Sequence, residues 1–212
     1  QREKVTPILM AIRVVPGLLY GSDHAYGCPL TGSGTEASVS AMTRERLAEF
    51  HKTWFKPNNA TLVITGDITL DEIKSRLEKL FKSWTPGDVP GKNIAAVADK
   101  SNSEVYLIDR PGSQQSIIIA GFLAAPRANP QEEAIQLMNN ILGGDFTSRV
   151  NMNLREDKHW SYGARTMLLG AQGQRPWIAM APVQIDKTAD SIKEMQREFA
   201  DWAAAPGTLV HQ

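Results

Sequence analysis

Strand-like runs alternate along this chain with amphipathic helical runs, and that order constrains the fold more than any single motif. "NATLVITG" (59–66), "EVYLIDR" (104–110), "QSIIIAGF" (115–122), "SYGARTMLLG" (161–170) and "RPWIAMAPV" (175–183) are short and rich in apolar or β-branched residues, with turn residues between them. Pairs of such runs separated by pairs of helices predict an α+β fold, a mostly antiparallel sheet with helices packed on one face. The "PGS" turn at 111–113 makes "EVYLIDR" and "QSIIIAGF" expected neighbours in one sheet.

The helices announce their own ends. The chain opens in a helical pattern through Ile8, Leu9, Ile12, Val15 and Leu19 with no signal-peptide architecture before it, which reads as a piece of a longer protein. Thr43 is placed to cap a helix carrying Leu47, Phe50 and Trp54 on one face, and Pro57 with Asn58 and Asn59 stops it. Thr69 and Glu72 have capping-box spacing ahead of Ile73, Leu77, Leu80 and Phe81. Pro130 fits the first turn of a helix capped by Asn129 and ended by Gly143 and Gly144. Further helices are expected over 146–157, through Val150 and Leu154, and over 187–204, through Ile192, Met195, Phe199 and Trp202.

Between 85 and 103 the periodicity lapses into Pro, Gly, Asp, Lys, Asn and Ser. The expected organisation is therefore the C-terminal part of one α+β domain over 1–88, a linker over 89–102, and most of a second, homologous domain over 103–212. The spacing Phe-x-x-Trp at Phe81 to Trp84 and again at Phe199 to Trp202 supports the duplication.

Charge and composition exclude some partners. Lys plus Arg and Asp plus Glu each number 23, so no long-range field favours nucleic acid or an anionic membrane. No apolar run approaches the roughly 20 residues that cross a bilayer. A single cysteine, Cys28, rules out a disulfide framework.

Local catalytic motifs are sparse. A zinc peptidase needs two histidines and a carboxylate that converge, with a glutamate beside one histidine. His24, His51, His159 and His211 are never closer than 27 positions, and none is adjacent to a glutamate, so no bound catalytic metal is expected. "GSGTEA" (Gly32 to Ala37) has the spacing of a dinucleotide loop, but a loop precedes it where a buried strand is required. There is no Gly-x-Ser-x-Gly elbow and Cys28 has no local partner, so covalent hydrolysis lacks support. Arg155 and Tyr162, in "NLREDKHWSYG", read two ways from the residues alone. They are either a working pair of donors or a helix end paired to a neighbouring carboxylate and the start of an exposed strand.

In order, "YGSDHAYGCPLTGS", "LAEFHKTWFKPNNATLVITGDI", "LIDRPGSQQSIIIAGF" and "LGGDFTSRVNMNLREDKHWSYGA" resemble the pitrilysin and insulinase family of zinc metallopeptidases, which includes the mitochondrial processing peptidase. The resemblance covers nearly the whole chain and rests most on "LGGDFTSR" followed by "LREDKHWSYG". It implies the metallohydrolase fold of the processing-peptidase type, in which two homologous halves close like a clamshell on an unfolded peptide. One half carries an inverted His-x-x-Glu-His zinc motif, which is missing here. The wording from Arg13 to Ser38 is similar to the C-terminal, non-catalytic half of long bacterial members, which implies a periplasmic location.

On that resemblance Arg155 and Tyr162 match the arginine and tyrosine that the non-catalytic half extends across the cavity toward the other half's zinc site. Guanidinium and phenol are donors suited to orienting a peptide carbonyl and stabilising an oxyanion. No cofactor is implied for this piece; zinc is implied for the partner catalytic half, in the same chain or a separate subunit, and a peptide is the implied substrate. The alternative is a scaffold that keeps the fold and has lost proteolysis.

Overall fold

The computed structural model describes residues 2–204. Its elements in chain order are α1 (Arg2–Val5), α2 (Pro7–Tyr20), α3 (Glu36–Ser40), α4 (Arg44–Trp54), α5 (Leu70–Leu80) and β1 (Gln115–Ala124). They continue with α6 (Glu132–Asn139), α7 (Arg149–Asn151), β2 (Arg165–Leu168), β3 (Arg175–Gln184) and α8 (Thr188–Ala204). A π-helical turn follows α6 at Asn140–Gly144, and a longer π-helical stretch continues α7 through Met152–Asp157.

The chain divides into two compact units, one made of residues up to Ser33 together with those from Ile94 onward, the other of Gly34–Asn93. α1 and α2 cluster with the residues from Ile94 onward.

The first unit holds an antiparallel sheet of order β1-β3-β2. β3 lies between β1 and β2, and its run is apolar and buried almost throughout, so both of its faces are covered. Alternate residues Trp177, Ala179, Ala181 and Val183 point to one face and pack with Leu142, Val150, Leu154 and Met195. Phe199 and Trp202 of α8 close that core. Val150, Leu154 and Val183 are fully buried, each worth about 1.5–3 kcal/mol relative to exposure. The architecture is thus α+β, with α7, its π-helical continuation and α8 against one face of the sheet. Among the described residues no helix is long and apolar enough to cross a membrane.

Trp177 fixes several layers at once. Its ring meets Phe199 edge-on at 5.4 Å and Phe122 at 5.1 Å, and Nε1 donates to Asn139 Oδ1 at 3.0 Å. The Asn139 carbonyl in turn accepts from Thr166 Oγ1 at 3.3 Å. The glycine pair beside Asn139 has a packing reason as well as a helix-ending one. A Cβ on Gly143 would lie 2.5 Å from Thr166 Cγ2 and 2.7 Å from the Thr166 nitrogen, closer than any side chain tolerates.

A buried ion pair ties α6 to β3. Arg175, only 1% exposed, donates from both terminal nitrogens to the Glu132 carboxylate and from Nε to the Ala125 carbonyl at 3.1 Å. The Arg175 guanidinium, helped by Gln136, holds the Glu132 carboxyl at about 2 against an ordinary 4.5. A folded-state value below the unfolded one gives stability that is complete above the unfolded pKa and lost as pH falls through the folded one. Urea midpoints measured from about pH 5 down to about pH 2.5 are therefore expected to fall, and to fall less for Glu132→Gln. Equal declines for the two proteins would remove this pair as the cause.

The second unit carries α3, α4 and α5 and, among its described residues, no strand and no buried side chain. Its caps form as expected: Thr43 accepts from the Arg46 nitrogen at 3.3 Å, and Thr69 and Glu72 close a reciprocal capping box. Within it, Trp84 Nε1 donates to the Phe55 carbonyl and Asn58 exchanges two hydrogen bonds with the backbone of Gly87.

Several expected elements differ. "NATLVITG" and "EVYLIDR" lie in no sheet, with Val63 80%, Val105 94% and Leu107 90% exposed. β-propensity describes fitness for a pleated, half-covered surface, and a strand forms only where an edge is available to pair with. "SYGARTMLLG" contracts to β2, with Ser161 making a single bridge to Val183. α6 starts at Glu132 and not at Pro130, though Asn129 Oδ1 still accepts the Gln131 amide at 2.9 Å. The helix expected from residue 146 begins at Arg149, leaving Phe146 in the preceding turn.

Candidate functional site

The stretch bearing Arg155 is anchored from below. Val150 and Leu154 face the core at a four-residue interval, which turns Arg155, one position on, toward the rim. Arg149 reaches α8, with Nε and a terminal nitrogen 3.0 and 2.9 Å from Glu198 Oε2. Asn153 donates to both Glu198 at 2.7 Å and Glu194 at 2.9 Å, and its bond is the main reason the Glu194 carboxyl sits below the usual range. Arg149, Asn153, Glu194 and Glu198 thus set the pitch of the helix against α8. None of them was singled out as a site residue from the sequence, because pairs more than forty positions apart leave no local signature.

The helix ends in a wide turn. The Lys158 amide bonds back to the Asn153 carbonyl, and the amides of Trp160 and Ser161 both reach Leu154. His159 adopts φ 56°, a left-handed conformation uncommon outside glycine and typical just past a helix end. Its Nδ1–H donates to the Arg155 carbonyl at 3.1 Å, which fixes the tautomer. The end of β3 then stitches the loop down: Gln184 Nε2 donates to the His159 carbonyl and the Gln184 amide to Trp160, while Ser161 Oγ donates to Pro182.

Arg155 and Tyr162 emerge on either side of this loop and line one open depression of about 570 Å³, together with Gln114, Gln115, His159 and Trp160. Tyr162 is 89% exposed and does not open a strand. Arg155 does meet a neighbouring carboxylate: its Nη1 is 3.2 Å from Glu156 Oε1. The geometry there is not that of a hydrogen bond, and Nη1 is shielded from solvent without a bonding partner. Its guanidinium also lies 4.4 Å above the centre of the Phe146 ring. The arrangement places a guanidinium and a phenol at the edge of one open depression.

Zinc does not fit here. Among the described residues no three His, Cys, Asp or Glu side chains gather as a metal site. His24 accepts the Tyr26 amide at Nδ1 and faces the Ala95 carbonyl at Nε2, His51 stacks on Phe55, and His159 serves the helix end. His211 lies outside the described residues. Cys28 is an exposed free thiol.

A family model described as the peptidase M16 inactive domain matches residues 41–207. The chain belongs to this family. Among curated relatives, an uncharacterized zinc protease of Mycobacterium leprae is 26% identical over 154 residues, 71% of this chain and 33% of that protein. A probable inactive metalloprotease of Bacillus subtilis, YmfF, is 21% identical over 170 residues, 79% of this chain and 38% of that one. The crystal structure of a peptidase M16 inactive domain from Pseudomonas fluorescens superposes with a TM-score of 0.87 at 22% identity, covering 98% of this chain and 49% of that one. This M16 inactive domain therefore has the fold of that solved structure and spans between a third and about two fifths of the length of the curated relatives it matches.

Proposed function

We propose that this M16 inactive domain is the non-catalytic, substrate-binding half of a clamshell zinc metallopeptidase that cleaves unfolded peptides. Zinc belongs to the catalytic half, in the same polypeptide or a separate subunit, and the likeness to bacterial members suggests a periplasmic setting. The observation that carries the reading is the shared depression, where Tyr162 stands in solvent and Arg155 stands at the rim. A guanidinium stays charged at every working pH and donates in a fixed plane, so it can hold a peptide carbonyl or carboxylate in one orientation. A phenol beside it supplies a neutral donor to a carbonyl oxygen gathering charge. Glu156 opposes the arginine's charge at 3.2 Å and restrains its swing without consuming its donors.

In the full-length protein, Arg155→Ala is expected to raise KM for an unstructured peptide by about 10-fold or more, the worth of a charge-assisted hydrogen bond. Steady-state kinetics test this, and unchanged KM and kcat would dismiss the reading. A second reading, a scaffold without proteolysis, draws on the relative named as probably inactive. It predicts no cleavage with or without a zinc chelator, and a stable complex with a partner that also lacks a zinc motif.

A further inference from the structure

The Phe146 ring is 59% exposed and carries the Arg155 guanidinium over its face, 4.4 Å from the ring centre. Its backbone is nevertheless held at both polar groups. Asp145 Oδ1 accepts the Phe146 amide at 2.6 Å, and Asn151 Nδ2 donates to the Phe146 carbonyl at 2.6 Å. Asn151 is 4% exposed, and its Oδ1 accepts the Ala164 amide at 3.0 Å. One buried amide thus holds the turn under Arg155 and the segment just after Tyr162 in a single register.

We propose that Phe146 is a positioning residue for Arg155, a platform that fixes the guanidinium plane at the rim of the depression while Asn151 locks that platform to the Tyr162 loop. A guanidinium held over a ring face is drawn by the ring's negative face without using up its N–H donors, so the ring restrains where the arginine sits and leaves it able to donate. Glu156 adds a lateral restraint at 3.2 Å. The inference rests on the reading of Arg155 as a substrate-contacting donor.

The test is a double-mutant cycle in the full-length protein with an unstructured peptide, read as kcat/KM, or as peptide Kd where turnover is absent. Phe146→Leu is expected to weaken the readout by about 2- to 5-fold, the usual worth of an exposed cation–π contact. It should have no further effect on Arg155→Ala, and Phe146→Tyr should behave as wild type. An equal loss in both backgrounds would overturn the proposal, because Phe146 would then act on the peptide or the fold and not through Arg155. An impaired Arg155→Ala beside a silent Phe146→Leu would overturn it while sparing the functional reading. A silent Arg155→Ala would overturn both.

Discussion

Tyr162→Phe in the full-length protein is expected to lower kcat for an unstructured peptide by about 10²-fold while KM stays within a few-fold of wild type. The substitution removes one hydroxyl and keeps the ring. Because the side chain is 89% exposed, and no hydrogen bond joins its hydroxyl to another described residue, folding should not respond. A donor that strengthens its bond only as charge gathers on the carbonyl oxygen contributes to the rate and little to ground-state binding. Single-turnover and steady-state measurements with thermal melts alongside separate these effects. A kcat equal to wild type would mean that Tyr162 merely occupies the loop, and a KM change alone would recast it as a binding contact.

Trp177→Ala should be the most damaging single change to the first unit, at about 3–5 kcal/mol. The ring is 6% exposed and packed between Phe122 and Phe199, so truncation empties the centre of the sheet–helix interface. Trp177→Phe isolates the polar share. It retains most of the aromatic volume but leaves Asn139 Oδ1 without its indole donor, a loss of about 1–3 kcal/mol. Urea unfolding of both variants gives the comparison directly. If Trp177→Ala cost no more than Trp177→Phe, the helices would have to collapse onto the sheet, and the layer would be far more plastic than its interdigitated rings indicate.

Parts of this structure could be read from local chemistry. Thr43, Thr69 and Glu72 do as caps what their spacing says, since a cap is settled within four residues. β3 and α8 follow from an unbroken apolar run and a clean helical stripe. What escaped has a longer range. Arg175 and Glu132 are 43 positions apart, and neither looks buried by type. Asn139, Asn151 and Asn153 resemble ordinary helix-weakening residues until their partners are known. "NATLVITG" and "EVYLIDR" have strand composition, yet pairing is decided by edges elsewhere in space. Arg155 and Tyr162 stood out only through family resemblance, because neither spacing nor charge distinguishes a rim donor from a solvated one.

The π-helical stretch at Met152–Asp157 has a further consequence for how this region can vary. Such a bulge accommodates one residue more than a regular helix of equal rise, so the backbone here behaves as an α-helix that has absorbed an insertion. Removing a single residue from the bulge would let it relax to a regular α-helix and keep the later side chains on their bearings, whereas the same loss from a regular α-helix turns everything beyond it by about 100°. The bulge thus gives this region tolerance to the loss of one residue that an unbroken helix lacks.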